Sequence, residues 1–120
     1  MGTSAVMIHW GMPIPGRERR ALEEFQSSSQ WWEQLKSTKK IENYHVYMMR
    51  NGSLIQRSGF VLIEGTPDQI SGLTASEDFQ TRINRVTAVS QQVAIDYVDS
   101  GERVNKRMEM YAQTLKQMNV

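Results

Sequence analysis

Residues 41–64 read IENYHVYMMRNGSLIQRSGFVLIE, two apolar and aromatic runs separated by Asn51-Gly52. An Asn-Gly pair between such runs is typical of a two-residue β-hairpin turn of type I′. The pattern therefore predicts one strand over residues 41–50 and another over residues 54–64. The turn also fixes a register, in which three pairs of residues lie opposite each other: His45 and Ser58, Tyr47 and Gln56, and Val46 and Arg57.

The segments before the hairpin predict a strand followed by a helix. Residues 5–10 (AVMIHW) are β-branched and aromatic, and the prolines at 13 and 15 end that strand. From Arg17 the apolar side chains recur at helical spacing as far as Leu35, and Ser28 occupies one position of the same face. Arg17, Arg19 and Arg20 could bind an anion at the helix start, but nearby glutamates offset them, and we interpret this segment as a solvated helix start.

The segments after the hairpin predict two helices, a strand and a last helix. Thr66-Pro67-Asp68-Gln69 has the residues of a capping box with proline in the first turn. Ser76 is suited to cap a second helix, and residues 93–98 (VAIDYV) predict the fourth strand. Apolar residues between Val104 and Met118 then recur at spacings of four and three, which indicates an amphipathic helix.

The resulting order, βαββαβ plus a C-terminal helix, predicts an α+β, ferredoxin-like fold. Right-handed crossovers would give a four-stranded antiparallel sheet with its helices on one face. We expect residues 1–120 to form one domain, with a core over 5–99 and the C-terminal helix over 102–118.

Composition excludes several classes of function. The 120 residues carry a formal charge of +1 and no cysteine. The net charge is therefore too small to attract nucleic acid, and no thiolate is available for catalysis or metal binding. No apolar run approaches the length of a membrane span, and the N-terminus does not resemble a signal peptide. We expect a cytoplasmic protein that binds neither nucleic acid nor membrane, with no cofactor and no metal.

Alternation along the strands divides the side chains between two faces of the predicted sheet. One face, which includes Val6, Ile8, Trp10 and, on the fourth strand, Tyr97, is apolar enough to pack against the helices. The opposite face is too apolar for water and too polar for a second core. This open face holds Met7, His9, His45, Tyr47, Gln56, Ser58, Phe60, Leu62, Asp96 and Val98. We expect it to pair with a second copy of the chain, forming a homodimer with a partly polar cleft between the sheets.

Several stretches resemble the dimeric α+β barrel superfamily. They are the strand at 59–65 that runs into a proline-started helix, the Leu73-x-x-Ser76-Glu77-x-Phe79 segment and the C-terminal extension. Within that superfamily, residues 16–25 and the pair Trp31-Trp32 resemble a group of uncharacterised bacterial proteins. The resemblance implies the fold, dimerisation and a ligand-sized cleft. The superfamily includes cofactor-free monooxygenases, isomerases and haem-degrading enzymes, so the resemblance selects no reaction.

The open face supplies the candidate site residues. His9 and Asp96 lie on strands expected to be neighbours, and a carboxylate can fix the tautomer of a histidine that acts as a general base. His45, Tyr47, Gln56, Ser58 and Phe60 would line the ligand-binding cleft. The same residues could instead be polar groups satisfied within a dimer interface.

Three functions are compatible with these residues. In the first, the cleft binds or converts a small organic molecule, in the manner of a cofactor-free monooxygenase or an isomerase, through His9 and Asp96. In the second, packed side chains fill the cleft of a non-enzymatic interaction or regulatory module. The third is haem binding through His9 or His45.

Overall fold

The computed structural model describes residues 2–50 and 57–120. Its elements are β1 (Ser4–Trp10), α1 (Glu18–Ser37), β2 (Asn43–Met48), β3 (Gly59–Gly65), α2 (Pro67–Thr74), α3 (Glu77–Val89), β4 (Ala94–Asp99) and α4 (Glu102–Met118). The predicted turn at Asn51-Gly52 and the candidate residue Gln56 lie outside the described residues.

The four strands form one antiparallel sheet in the order β2-β3-β1-β4. This is the predicted ferredoxin-like arrangement, in which β1 is central and pairs with β3 on one side and β4 on the other. Along β1, Ile8 lies opposite Val61 and Ile95, and Met7 lies opposite Leu62 and Asp96. The ferredoxin-like α+β prediction is confirmed.

The predicted register of β2 against β3 is wrong by four residues. His45 lies opposite Leu62, Val46 opposite Val61, and Tyr47 opposite Phe60. The observed register brings Val46 against a fully buried valine, whereas the predicted one would have placed the charged Arg57 among the core side chains. Arg57 instead lies before β3 and is exposed.

The core lies between the sheet and the helices. Val6, Val61 and Ile63 on the sheet are completely buried, and Trp32 of α1 and Phe79 of α3 pack into the same cluster. The prediction that Tyr97 faces this core needs correction. Tyr97 lies on the helix-covered side, opposite Val6, but it is 69% exposed because β4 is the edge strand.

Caps define the two helices that follow β3. The Thr66 hydroxyl accepts a hydrogen bond from the Gln69 amide, and the Gln69 side chain accepts one from the Thr66 amide, which completes the predicted capping box. The Ser76 hydroxyl accepts from the Phe79 amide at the start of α3. Both predicted caps are confirmed.

The proline loop after β1 attaches to the end of α3. The Ile14 amide donates to the Val89 carbonyl, Pro13 forms a β-bridge with Ser90, and the Arg17 guanidinium donates to the Ala88 carbonyl at 2.6 Å. Arg17 thus satisfies a free carbonyl at a helix C-terminus, where a positive charge also complements the helix dipole. The loop holds the start of α1 beside the end of α3.

Helix α4 has the predicted bounds but buries none of its residues against the rest of the chain. Its start is held by Asp99, whose carboxylate accepts hydrogen bonds from Arg103 at 3.0 Å and Arg107 at 2.9 Å. The hydrogen bond from Arg103, reinforced by Arg107, holds the pKa of Asp99 below its usual range. The apolar side chains of α4 therefore remain on the surface of the chain.

Replacing Thr66 by alanine should lower the free energy of unfolding by about 1 kcal/mol, because the Gln69 amide loses its side-chain acceptor. Thr66→Ser keeps the hydroxyl and should cost much less. Urea denaturation followed by circular dichroism measures both variants. Equal losses in the two would contradict the capping role.

Candidate functional site

On the open face, β1 and β4 bring His9 and Asp96 together as predicted. His9 Nε2 lies 2.9 Å from Asp96 Oδ2, and the two side chains are 7% and 61% exposed. In the described part of the chain, the buried His9 Nδ1 has no hydrogen-bond partner. A neutral imidazole that donates from Nε2 to Asp96 keeps Nδ1 as an acceptor.

Three other predicted cleft residues, His45, Tyr47 and Phe60, lie across the same face. Tyr47 and Phe60 stack with ring centroids 4.9 Å apart, and His45 Nε2 lies 2.9 Å from Glu64 Oε1. The Ser58 hydroxyl contacts Met12 Sδ at 3.4 Å. The two histidines thus have separate carboxylate partners and occupy different parts of the sheet.

A cavity of about 420 Å³ lies on the other side of the sheet, between the core face and helices α1 and α3. Its walls include Trp10, Phe25 and Trp32, together with Ile83 and Val86 of α3. Exposed side chains of Leu22 and Met48 stand at its border with solvent. Ser58 borders it, whereas His9, Asp96, His45, Tyr47 and Phe60 do not.

Three aromatic rings form one wall of this cavity. Trp10 stacks on Trp32 at 6.5 Å between centroids with an interplanar angle of 21°. Phe25 meets both edge-on, at 5.9 Å from Trp10 and 6.1 Å from Trp32. Flat apolar walls of this kind favour planar apolar ligands.

A group of charged side chains lies beside the apolar wall, and we call it the Glu24 cluster: Glu24, Arg82 and Arg85. The Glu24 carboxylate is 8% exposed and accepts hydrogen bonds from Arg82 Nη1 and, at 2.7 Å, from Arg85 Nε. The Arg82 and Arg85 side chains are 16% and 57% exposed. Glu24 and Arg82 border the cavity, and Arg85 does not.

The aromatic ring of Trp31 packs against the Arg82 guanidinium. The Arg82 guanidinium carbon lies 5.4 Å from the centroid of the Trp31 ring, and Arg82 Nη1 also donates to the Ser27 hydroxyl at 2.9 Å. A cation over an indole face is stabilised by the ring quadrupole. Trp31 is therefore half-covered by α3 through Arg82 and Phe79.

The sequence contained one signal for this cluster. Glu24 and Ser28 stand four residues apart on the buried side of α1, and both are buried. Polar residues on an apolar stripe indicate a buried polar contact. The partners of Glu24 on α3 lie about sixty positions further along the chain, so spacing alone did not reveal them.

Within residues 2–50 and 57–120, no three histidine, aspartate or glutamate side chains are placed to share a metal ion. No helix among them is long and apolar enough to cross a membrane.

Comparison with known proteins identifies the fold. No protein-family model and no curated protein sequence matches the chain. A dimeric protein of unknown function and ferredoxin-like fold from Bacteroides fragilis superposes with a TM-score of 0.63 at 12% identity, covering 82% of this chain and 97% of that one. The chain therefore has the fold of the dimeric ferredoxin-like proteins, as its resemblance to the dimeric α+β barrels implied.

Two further structures carry functional names. A Deinococcus radiodurans protein described as a candidate antibiotic biosynthesis monooxygenase gives a TM-score of 0.59 at 13% identity, covering 82% of this chain and 93% of that one. A variant of SnoaB, a cofactor-independent oxygenase from Streptomyces nogalater, gives 0.58 at 10% identity, covering 83% and 93%. At these identities the likeness shows the fold alone.

Glu24→Ala should lower the free energy of unfolding by about 1–3 kcal/mol, because Arg82 stays largely buried without its carboxylate. Glu23→Ala changes the exposed neighbour on the same helix and should stay within about 0.5 kcal/mol of the parent. Urea denaturation compares the two. A Glu24→Ala variant as stable as Glu23→Ala would contradict the structural role of the cluster.

Proposed function

We propose that the chain binds a small, planar organic molecule in the cavity between its sheet and helices α1 and α3. The observation that carries the proposal is the aromatic wall of Trp10, Phe25 and Trp32 around about 420 Å³ of space. Pockets of roughly 300–1,000 Å³ with mostly apolar walls and a few polar groups are typical ligand sites.

The exposed apolar side chains at the border of the cavity support this proposal. Leu22 and Met48, at its border, are exposed rather than packed, so a ligand would cover apolar surface that now contacts water. Burial of that surface would contribute about 25 cal/mol per Å² before the costs of association. The oxygenase names among the structural neighbours are consistent with a small organic substrate.

The haem alternative receives less support from this geometry. Neither His9 nor His45 borders the cavity, so haem held there would lack a histidine ligand. An axial histidine is a common way for a protein to hold haem iron.

Addition of 2-acetonaphthone, a neutral planar probe, should quench tryptophan fluorescence saturably, because Trp10 and Trp32 border the cavity. A Kd on the order of 100 µM is expected for a ligand of this size. Ala21→Phe fills the cavity from α1 and should abolish binding, whereas Ala88→Phe, at an exposed position of α3, should not. Equal binding by the two variants, each checked for folding by circular dichroism, would contradict the proposed site.

A second proposal concerns the open face, which we infer to be the interface of a homodimer. Met7, Phe60, Leu62 and Val98 are only partly buried there, and the structural neighbours include proteins described as dimeric. In such a dimer His9 and Asp96 would lie between two sheets, with His45 and Tyr47 on the same face. A catalytic role for His9 would then require a substrate in that inter-sheet space.

Leu62→Lys places a charge at the middle of the open face, between Met7 and His45. We expect it to convert a dimer of the parent chain to monomer, because an unpaired lysine is costly to bury in an interface. Leu22→Lys, on the exposed side of α1, should remain dimeric. Sedimentation velocity at micromolar concentration tests both variants, and a monomeric parent chain would contradict the interface.

A further inference from the structure

Arg82 has hydrogen-bonding capacity that the fold does not use. Its guanidinium offers five N–H donors, and Nη1 uses its two on Glu24 and Ser27. In the described part of the chain, Nε and Nη2 donate to no acceptor, although the side chain is only 16% exposed. The residue borders the cavity, so a ligand bound there can accept from these nitrogens in place of water.

The charge of the Glu24 cluster favours an acceptor that is negative. Glu24 contributes one negative charge, and Arg82 and Arg85 contribute two positive charges. Both oxygens of Glu24 are already occupied by these arginines. Glu18 also borders the cavity, but it is exposed at the start of α1, where water screens its charge.

The orientation of Arg82 is fixed in advance. The Trp31 ring at 5.4 Å restrains the guanidinium from one side, and the Glu24 and Ser27 contacts hold Nη1. A planar guanidinium held in this way matches the two oxygens of a carboxylate, and little rotamer freedom remains to be lost on binding.

We propose that the cavity is selective for planar organic carboxylates, with Arg82 as the residue that determines this specificity. The inference rests on the proposed ligand site and names the class of ligand it takes. The planar part of the ligand would lie against Trp10, Phe25 and Trp32, and its carboxylate would accept from Arg82.

The test compares two probes of nearly equal shape, 2-naphthoate and the neutral 2-acetonaphthone. The parent chain should bind 2-naphthoate at least several-fold more tightly, because a hydrogen bond to a charged group is stronger than one to a neutral carbonyl. Arg82→Gln should weaken 2-naphthoate binding about tenfold and change 2-acetonaphthone binding less than about twofold.

Arg85→Gln is the matched control. Arg85 also donates to Glu24 and carries the same charge, but it does not border the cavity. Arg85→Gln lowers the charge of the cluster by the same amount, so it should weaken 2-naphthoate binding clearly less than Arg82→Gln does and change 2-acetonaphthone binding less than about twofold. Thermal midpoints of both variants show whether the fold is kept, and the ratio of the two parent-chain affinities tests the proposal even if Arg82→Gln unfolds.

The outcomes separate the two proposals. Binding of neither probe overturns the ligand site itself, and the carboxylate specificity with it. Equal binding of the two probes by the parent chain, or equal effects of Arg82→Gln and Arg85→Gln, overturns the carboxylate specificity and leaves the ligand site standing.

Discussion

The pairing of β1 with β3 and β4 is the constraint on which the other features depend. Because β1 is central, its two sets of side chains are fixed by neighbours on both edges. Val6 and Ile8 point to the helices and are buried, which anchors the core. Met7 and His9 are thereby committed to the opposite face, where His9 meets Asp96. One register thus places the helix-side cavity and the histidine–carboxylate pair on opposite sides of one sheet.

The same constraint explains how much could be predicted. Element order, both caps and the division of the faces follow from local patterns, and each is present in the structure. The register of β2 against β3 could not be read from Asn51-Gly52, because β3 is also held by β1 and the core. The error of four residues is even, and an even shift leaves every side chain on its predicted face. His45, Tyr47 and Phe60 therefore still share the open face with His9.

The cavity could not be predicted for a different reason. It depends on how α1 and α3 lie relative to each other, and on the contact of Glu24 with Arg82 across 58 positions of the chain. The surroundings of Trp31 could not be predicted for the same reason. Its helical position placed it off the main apolar stripe, and only the neighbouring helix determines that Arg82 and Phe79 cover it.

The Glu24 cluster is not explained by stability alone. Replacing a buried ion pair by packed apolar side chains is often neutral or stabilising, and the surrounding wall of Trp10, Phe25 and Trp32 already favours apolar packing. In this cluster Glu24 has both its oxygens occupied by arginines. Arg82 instead keeps two of its nitrogens without an acceptor beside a cavity that an apolar ligand can enter. Those free donors are the basis for proposing a recognition site in this cavity.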